Sequence, residues 1–233
     1  MSSFPTSHLR FLADLAEHND RLWFEAHKAE YRATYAEFQE RALDLVTAVS
    51  GFDEQVFAQP DYYKVFRIYR DVRFSKDKTP YKEHYSLEIV RGGRDTGREF
   101  YYFRLKPNGG SLVGGGWFPQ DSRELFAMRK YVSRHLAIFE SVLSKLRQDG
   151  FNLDDPAGKL KGVPRGFPKD DPALEYLRYK AFALVRPLPD ETVLRTDILA
   201  LAGDYFARAR PFLDFFTRAR QEIARDRDSY VVG

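Results

Sequence analysis

From Arg67 to Lys82 the chain reads Arg-Ile-Tyr-Arg-Asp-Val-Arg-Phe-Ser-Lys-Asp-Lys-Thr-Pro-Tyr-Lys. Six basic residues and two aspartates give this stretch a local charge of +4, against +3 for all 233 residues. Guanidinium forks match phosphate and carboxylate oxygens through paired, charge-assisted hydrogen bonds, and lysines add point charge. Three readings follow: a pocket for an anionic, phosphate-bearing ligand; a structural or protein-interaction module in which Arg67, Arg70, Asp71, Arg73 and Asp77 form an internal ion-pair network; or a site that hydrolyses or transfers a phosphate ester. The surplus of cations favours the first. Its binding set is Arg67, Arg70, Arg73, Lys76 and Lys78, oriented by Asp71 and Asp77, with Tyr69 or Tyr81 stacking on the ligand or hydrogen-bonding to it.

Arg70 falls on the apolar face of an alternating run and needs a partner, because an unpaired buried charge is costly. Asp71 points to the other face of the same run, so the partner is a carboxylate such as Glu88 or a ligand. Catalysis would need a water-positioning acid or base, and Asp71, Asp77, His84 and Glu88 are the local candidates. The two aspartates and Glu88 could hold Mg²⁺, but the surrounding positive charge argues against a cation site. His8, His18, His27, His84 and His135 show no ligand spacing, so no metal site is predicted, and no cofactor is named by any motif. Asn108-Gly109-Gly110 and Gly114-Gly115-Gly116-Trp117 read as a hairpin turn and a bulged strand. The competing reading is an anion cradle of backbone N–H groups with Trp117 walling a pocket. No phosphate-loop or dinucleotide fingerprint accompanies these glycines. The basic loop from Lys159 to Lys169 could close over the first cluster as a lid, bringing Arg165 and Lys180 near it.

The elements that must position these residues fall into blocks. Helices open the chain, the first capped by Ser7 and carrying Leu9, Leu12, Leu15 and Ala16 on one face. A second, long one runs from Asp20 to Ser50 and stops at Gly51. The period then changes to two: strands are predicted over Val65–Phe74, around Tyr85, Leu87 and Ile89, over Phe100–Lys106 and over Ser111–Phe118. Asp121 and Glu124 form a capping box for a helix reaching Gly150. A loop over 154–168, a short helix over Pro172–Leu177, a last strand over Lys180–Arg186, and helices from Asp190 to Ile223 complete the chain, with a frayed tail to Gly233. Segregated blocks with short strand connections predict an α+β fold: an antiparallel sheet of about five strands flanked by long helices, in one domain spanning 1–233.

The spacing Arg67-x-x-Arg70-Asp71-x-Arg73-Phe74-x-x-x-Asp77-Lys78-x-x-Tyr81 resembles the signature of a family of bacterial and fungal proteins of about this length, catalogued as a domain of unknown function. Phe11-Leu12 and Asn19-Asp20-Arg21-Leu22-Trp23-Phe24 are similar to the same family. The resemblance covers most of the chain and implies no activity, substrate or cofactor.

Composition sets the outer limits. Hydrophobic residues at 43% and aromatic residues at 15% are enough for a sizeable core built largely from rings. With no cysteine, disulfides, thiol nucleophiles and zinc–thiolate sites are excluded. The N-terminus lacks a basic-then-apolar leader pattern, and no apolar run approaches the roughly 18 residues of a membrane span. A soluble, cytoplasmic protein is the expectation, with an anionic small molecule or nucleotide as partner and no membrane association. An isoelectric point of about 8.9 is too mild to favour nucleic acid on charge alone.

Overall fold

The computed structural model describes residues 3–231 and has the expected α+β architecture. Among these residues six strands form one antiparallel sheet: β1 (Tyr63–Val65), β2 (Tyr85–Val90), β3 (Phe100–Leu105), β4 (Ser111–Trp117), β5 (Asn152–Asp154) and β6 (Phe182–Leu188), in the order β1-β2-β3-β4-β6-β5. The short β5 has no alternating pattern of its own and is recruited by pairing with β6, so the sheet has one strand more than periodicity predicts.

Helices α1 (Thr6–Glu17), α2 (Arg21–Ala26), α3 (Lys28–Ser50), α4 (Ser122–Arg134), α5 (Leu136–Gln148), α6 (Leu174–Leu177), α7 (Asp190–Arg195) and α8 (Ile198–Val231) complete the fold. Two predicted helices are each split at a histidine. At His27 the ring stacks on Trp23 with centroids 4.0 Å apart, and Nδ1 lies 2.8 Å from the Trp23 carbonyl. The Trp23 carbonyl also accepts the His27 backbone N–H at 3.1 Å, so ring and backbone share one acceptor at the break. His135 packs 4.2 Å from Tyr131 at the second break. Ser7 lies inside α1 rather than capping it, and Pro5 stands at the boundary with no side-chain cap. Asp20 and Asp121 do cap, each accepting two backbone N–H bonds. The last helix continues past Ile223 to Val231, and the final two residues of the tail lie outside the described residues.

The register assigns each strand position to a face. Tyr85, Leu87, Ile89, Tyr101, Phe103, Leu105, Val113 and Trp117 point into the core, where α8 crosses β4 and packs on α3 and α5. The buried apolar residues form one continuous cluster from Phe4 to Ala219. Within it lies an ionic knot. Arg91, with 0% exposure, donates to Asp53 and Asp214 at 2.6 Å each and to Thr217 at 3.1 Å. The Tyr101 hydroxyl donates to Asp53 at 2.6 Å, and Arg220 donates to Glu99 at 2.7 Å. Buried charges persist only when matched in this way.

The predicted strand over Val65–Phe74 is largely overturned. Only Tyr63–Val65 joins the sheet. Beyond it Ile68–Lys82 forms an irregular hairpin, with the Arg70 N–H bonded to the Pro80 carbonyl at 2.9 Å and the Lys82 N–H to the Ile68 carbonyl at 2.7 Å. Pro80 has no N–H to return, and the turn falls within a run of like charges, so the ladder stops at the single Tyr69–Tyr81 bridge.

Candidate functional site

The base of the hairpin is rigidly held. Asn19 donates through Nδ2 to the Tyr81 carbonyl at 3.0 Å and accepts the Tyr81 N–H at 3.1 Å. The Phe24 ring stacks on Tyr81 at 4.0 Å. The two sequence segments that resemble the family are thus in contact. Tyr81 is buried in this joint, which removes it from the residues that could face a ligand; Tyr69 remains partly exposed at its edge.

Most of the hairpin's charge is matched locally. Arg70 pairs with Asp77 at 2.5 Å and also donates to the Thr79 hydroxyl, so the expected pairing with Glu88 does not form. Arg73 grips Asp71 with two bonds of 2.9 and 2.6 Å. Lys78 donates to the Val72 carbonyl at 3.0 Å. The arginine beside it holds the Asp71 carboxyl below its usual range. The Thr79 backbone N–H, with Arg70, holds that of Asp77 down to about 2. Arg67 and Lys76 are exposed and make no hydrogen bond or ion pair among the described residues. Asp71, Asp77 and Glu88 do not converge, and the described residues contain no group of three or more metal-ligating side chains.

A concavity lies on the sheet face opposite the helices. It measures about 670 Å³ and crosses the strands from Lys64 on β1 to Asp154 on β5. That volume suits a nucleotide-sized ligand. Phe66, Phe100, Tyr102 and Phe118 supply aromatic walls, and Gly114 lies in the floor. A Cβ at Gly114 or Gly116 would collide with the carbonyl oxygen of Leu184 or Phe182. These glycines permit the close approach of β4 and β6 and leave the floor flat. Their strand is paired on both sides, so its N–H groups cannot cradle an anion. Trp117 points into the core, stacked on Phe216, and walls no pocket. The 108–110 turn does hold an anion, but an internal one: the Asn108 and Gly109 N–H groups each donate to the Asp190 carboxylate at 2.9 Å.

Cations outnumber acids in and beside the groove. Lys64, Arg67, Lys82 and Arg98 have no carboxylate within ion-pairing distance among the described residues, and Arg104 donates only to the Gly110 carbonyl. The ammonium groups of Lys64 and Lys82 lie 4.8 and 5.0 Å from the centroid of one ring, Phe66. Burial, Lys64 and Arg67 lower the Lys82 pKa. Burial, together with Arg104, Lys82 and Lys106, pushes His84 down to about 4. Glu88, opposite Lys64 in register, makes no side-chain bond, and burial raises its pKa.

The loop predicted as a lid packs elsewhere. Phe167 meets Phe126 of α4, and Lys159 lies over Tyr179; Arg165 and Lys180 do not line the groove. Sequence reasoning passed over Lys64, Phe66, Arg98, Phe100, Tyr102 and Arg104. The signal was present in the polar-or-aromatic alternation opposite the apolar positions of β2 and β3, which marks a second face needing an explanation. A family model described as a conserved hypothetical protein (DUF2461) matches residues 7–215. No curated protein and no solved structure matches the chain.

Proposed function

The chain belongs to this family of conserved hypothetical proteins, whose description names no activity, and we propose from the sheet face that it binds an anionic, phosphate-bearing ligand with a planar ring. One observation carries the reading: two ammonium groups share the Phe66 ring beside Arg67, no carboxylate among the described residues lies within ion-pairing distance of either, and burial raises the carboxyl of Glu88, opposite Lys64, toward its neutral form. Like charges held together repel, and an incoming phosphate relieves the repulsion while gaining charge-assisted bonds. The groove beside them accepts the ring between Phe100, Tyr102 and Phe118. Glu88 is available to accept a hydrogen bond from a sugar hydroxyl or an exocyclic amine.

The test is calorimetric titration with inorganic phosphate and a panel of nucleoside mono-, di- and triphosphates. Lys64→Ala and Lys82→Ala should each weaken the best ligand by roughly ten-fold, the effect of losing one charged hydrogen bond. Arg70→Ala/Arg73→Ala should bind like the wild type. Binding lost in the hairpin variant and kept in the lysine variants would move the site back to the hairpin; no binding by any ligand would end the reading.

A second reading, turnover of a phosphate ester, is favoured by Glu88 alone, since Asp71 and Asp77 are held by arginines. Phosphate release from the bound ligand that vanishes in Glu88→Gln would support it, and no release from any bound nucleotide would remove it.

A further inference from the structure

Phe74 is 95% exposed on an arm whose base is clamped by Asn19 and stacked on Phe24. An aromatic ring left in water contributes nothing to the core, and anchoring the base of its arm reduces the freedom lost when it is covered. Both acids of the arm are taken by Arg70 and Arg73, which leaves Arg67 and Lys76 without an ion pair among the described residues, while the Arg73 guanidinium lies 5.9 Å from the Phe74 ring centroid.

The arm leaves the sheet beside Phe66, at the β1 end of the groove. The Phe66 N–H bonds to the Ser86 carbonyl, so Phe66 and Lys82 lie where β2 begins. Val90 pairs with Phe100 and Phe100 with Gly116, so Arg98, Phe100 and Phe118 lie where β2 ends. From Phe118, itself 41% exposed and stacked on Phe100, the unpaired cations Arg98, Lys64, Lys82 and Arg67 lead to the hairpin and Phe74. A mononucleotide has one base and cannot use rings at both ends of such a track.

Resting on the anion-binding reading above, we infer that the ligand is a single-stranded nucleic acid laid across the sheet face and along the hairpin, with bases stacking on Phe118 and Phe74 and phosphates met by the four cations between them. Aromatic platforms joined by a basic groove are how sheet faces hold unpaired strands. A duplex presents no free base face, and a flat lipid surface would leave the concave floor at Gly114 untouched.

Fluorescence anisotropy with labelled mixed-sequence RNA and DNA of about 12 nucleotides, beside AMP and anionic vesicles, tests this. The oligonucleotides should bind more tightly than AMP. Their affinity should fall with salt at a logarithmic slope of about −3, the value for four phosphate contacts on a single strand. Phe74→Ala should weaken the oligonucleotide by roughly five-fold or more, leave AMP unaffected and leave the melting temperature unchanged. Arg67→Ala/Lys76→Ala should make the salt slope shallower. The inference is overturned by oligonucleotide affinity no better than that of AMP, by indifference to Phe74→Ala, or by binding to vesicles in place of oligonucleotides. AMP binding without oligonucleotide binding removes this inference and keeps the anion reading; binding of neither removes both.

Discussion

Arg91 and Arg98 stand on the same connection between β2 and β3 and live under opposite electrostatic rules. Arg91 turns inward and meets Asp53, Asp214 and Thr217. Arg98 turns to the rim of the open face and meets no carboxylate among the described residues. In the core an unmatched charge has no water to solvate it, so every cation must bring its acid. On the open face water screens surplus charge cheaply, and the surplus remains for a ligand to use. Pairing likewise separates half-buried Arg70 and exposed Arg73, each matched to an aspartate, from Lys64 and Lys82, crowded yet without an ion pair among the described residues. Proximity of charges in the chain therefore says little about a site until exposure and pairing are known.

The comparison breaks first at the buried knot if it is wrong. Asp53→Ala leaves Arg91 and the Tyr101 hydroxyl short of a partner and should cost about 3–5 kcal/mol, measured by urea unfolding. A loss below about 1 kcal/mol would mean that Asp214 alone satisfies Arg91. The next effect is acid sensitivity from the open face. His84 is neutral in the fold down to about pH 4, whereas in the unfolded chain it titrates near 6.5. Between these values only the unfolded chain takes up the proton. Stability should therefore be greatest above about pH 6.5 and fall as pH drops toward 4, with His84 contributing at most about 1.4 kcal/mol per pH unit. His84→Asn should flatten this part of the profile, and an unchanged profile would show that the histidine charges freely.

Smaller still is the effect of Glu88, whose carboxyl is raised by burial. Glu88→Gln should tighten anion binding at pH 7 by about two- to five-fold through removal of a nearby negative charge. It should also abolish the gain in affinity that the wild type shows as pH falls through the raised Glu88 pKa. The smallest effect belongs to Arg73→Ala on the hairpin, where the ion pair is solvent-screened. Its melting temperature should stay within about 2 °C of wild type and approach it further in high salt. A larger drop would make the hairpin pairs structural.

Much of the architecture was legible because it is local or periodic. Alternation in Phe100–Leu105 and the caps Asp20 and Asp121 act through neighbouring residues, and the structure keeps them. The breaks at His27 and His135 were not legible because the apolar spacing persists across both, and each shows itself only in a ring packed on the preceding turn. The strand over Val65–Phe74 failed because alternation is necessary for a strand but a ladder partner must also exist. The basic cluster was found, and the groove beside it was not. The residues of the groove lie far apart along the chain and meet only through register.

The order of amino acids by itself determined the α+β class, the antiparallel sheet, the capped helix starts and the excess of positive charge before β2, since propensity, period and charge are properties of a segment. Tertiary structure alone decided that Arg91 is neutralised and Lys64 forms no ion pair, that Tyr81 is a joint and Phe74 an exposed ring, and that the concavity lies over β3 and β4. Each of these depends on which distant groups share a low-dielectric interior and which share water, and strand pairing with helix docking sets that partition.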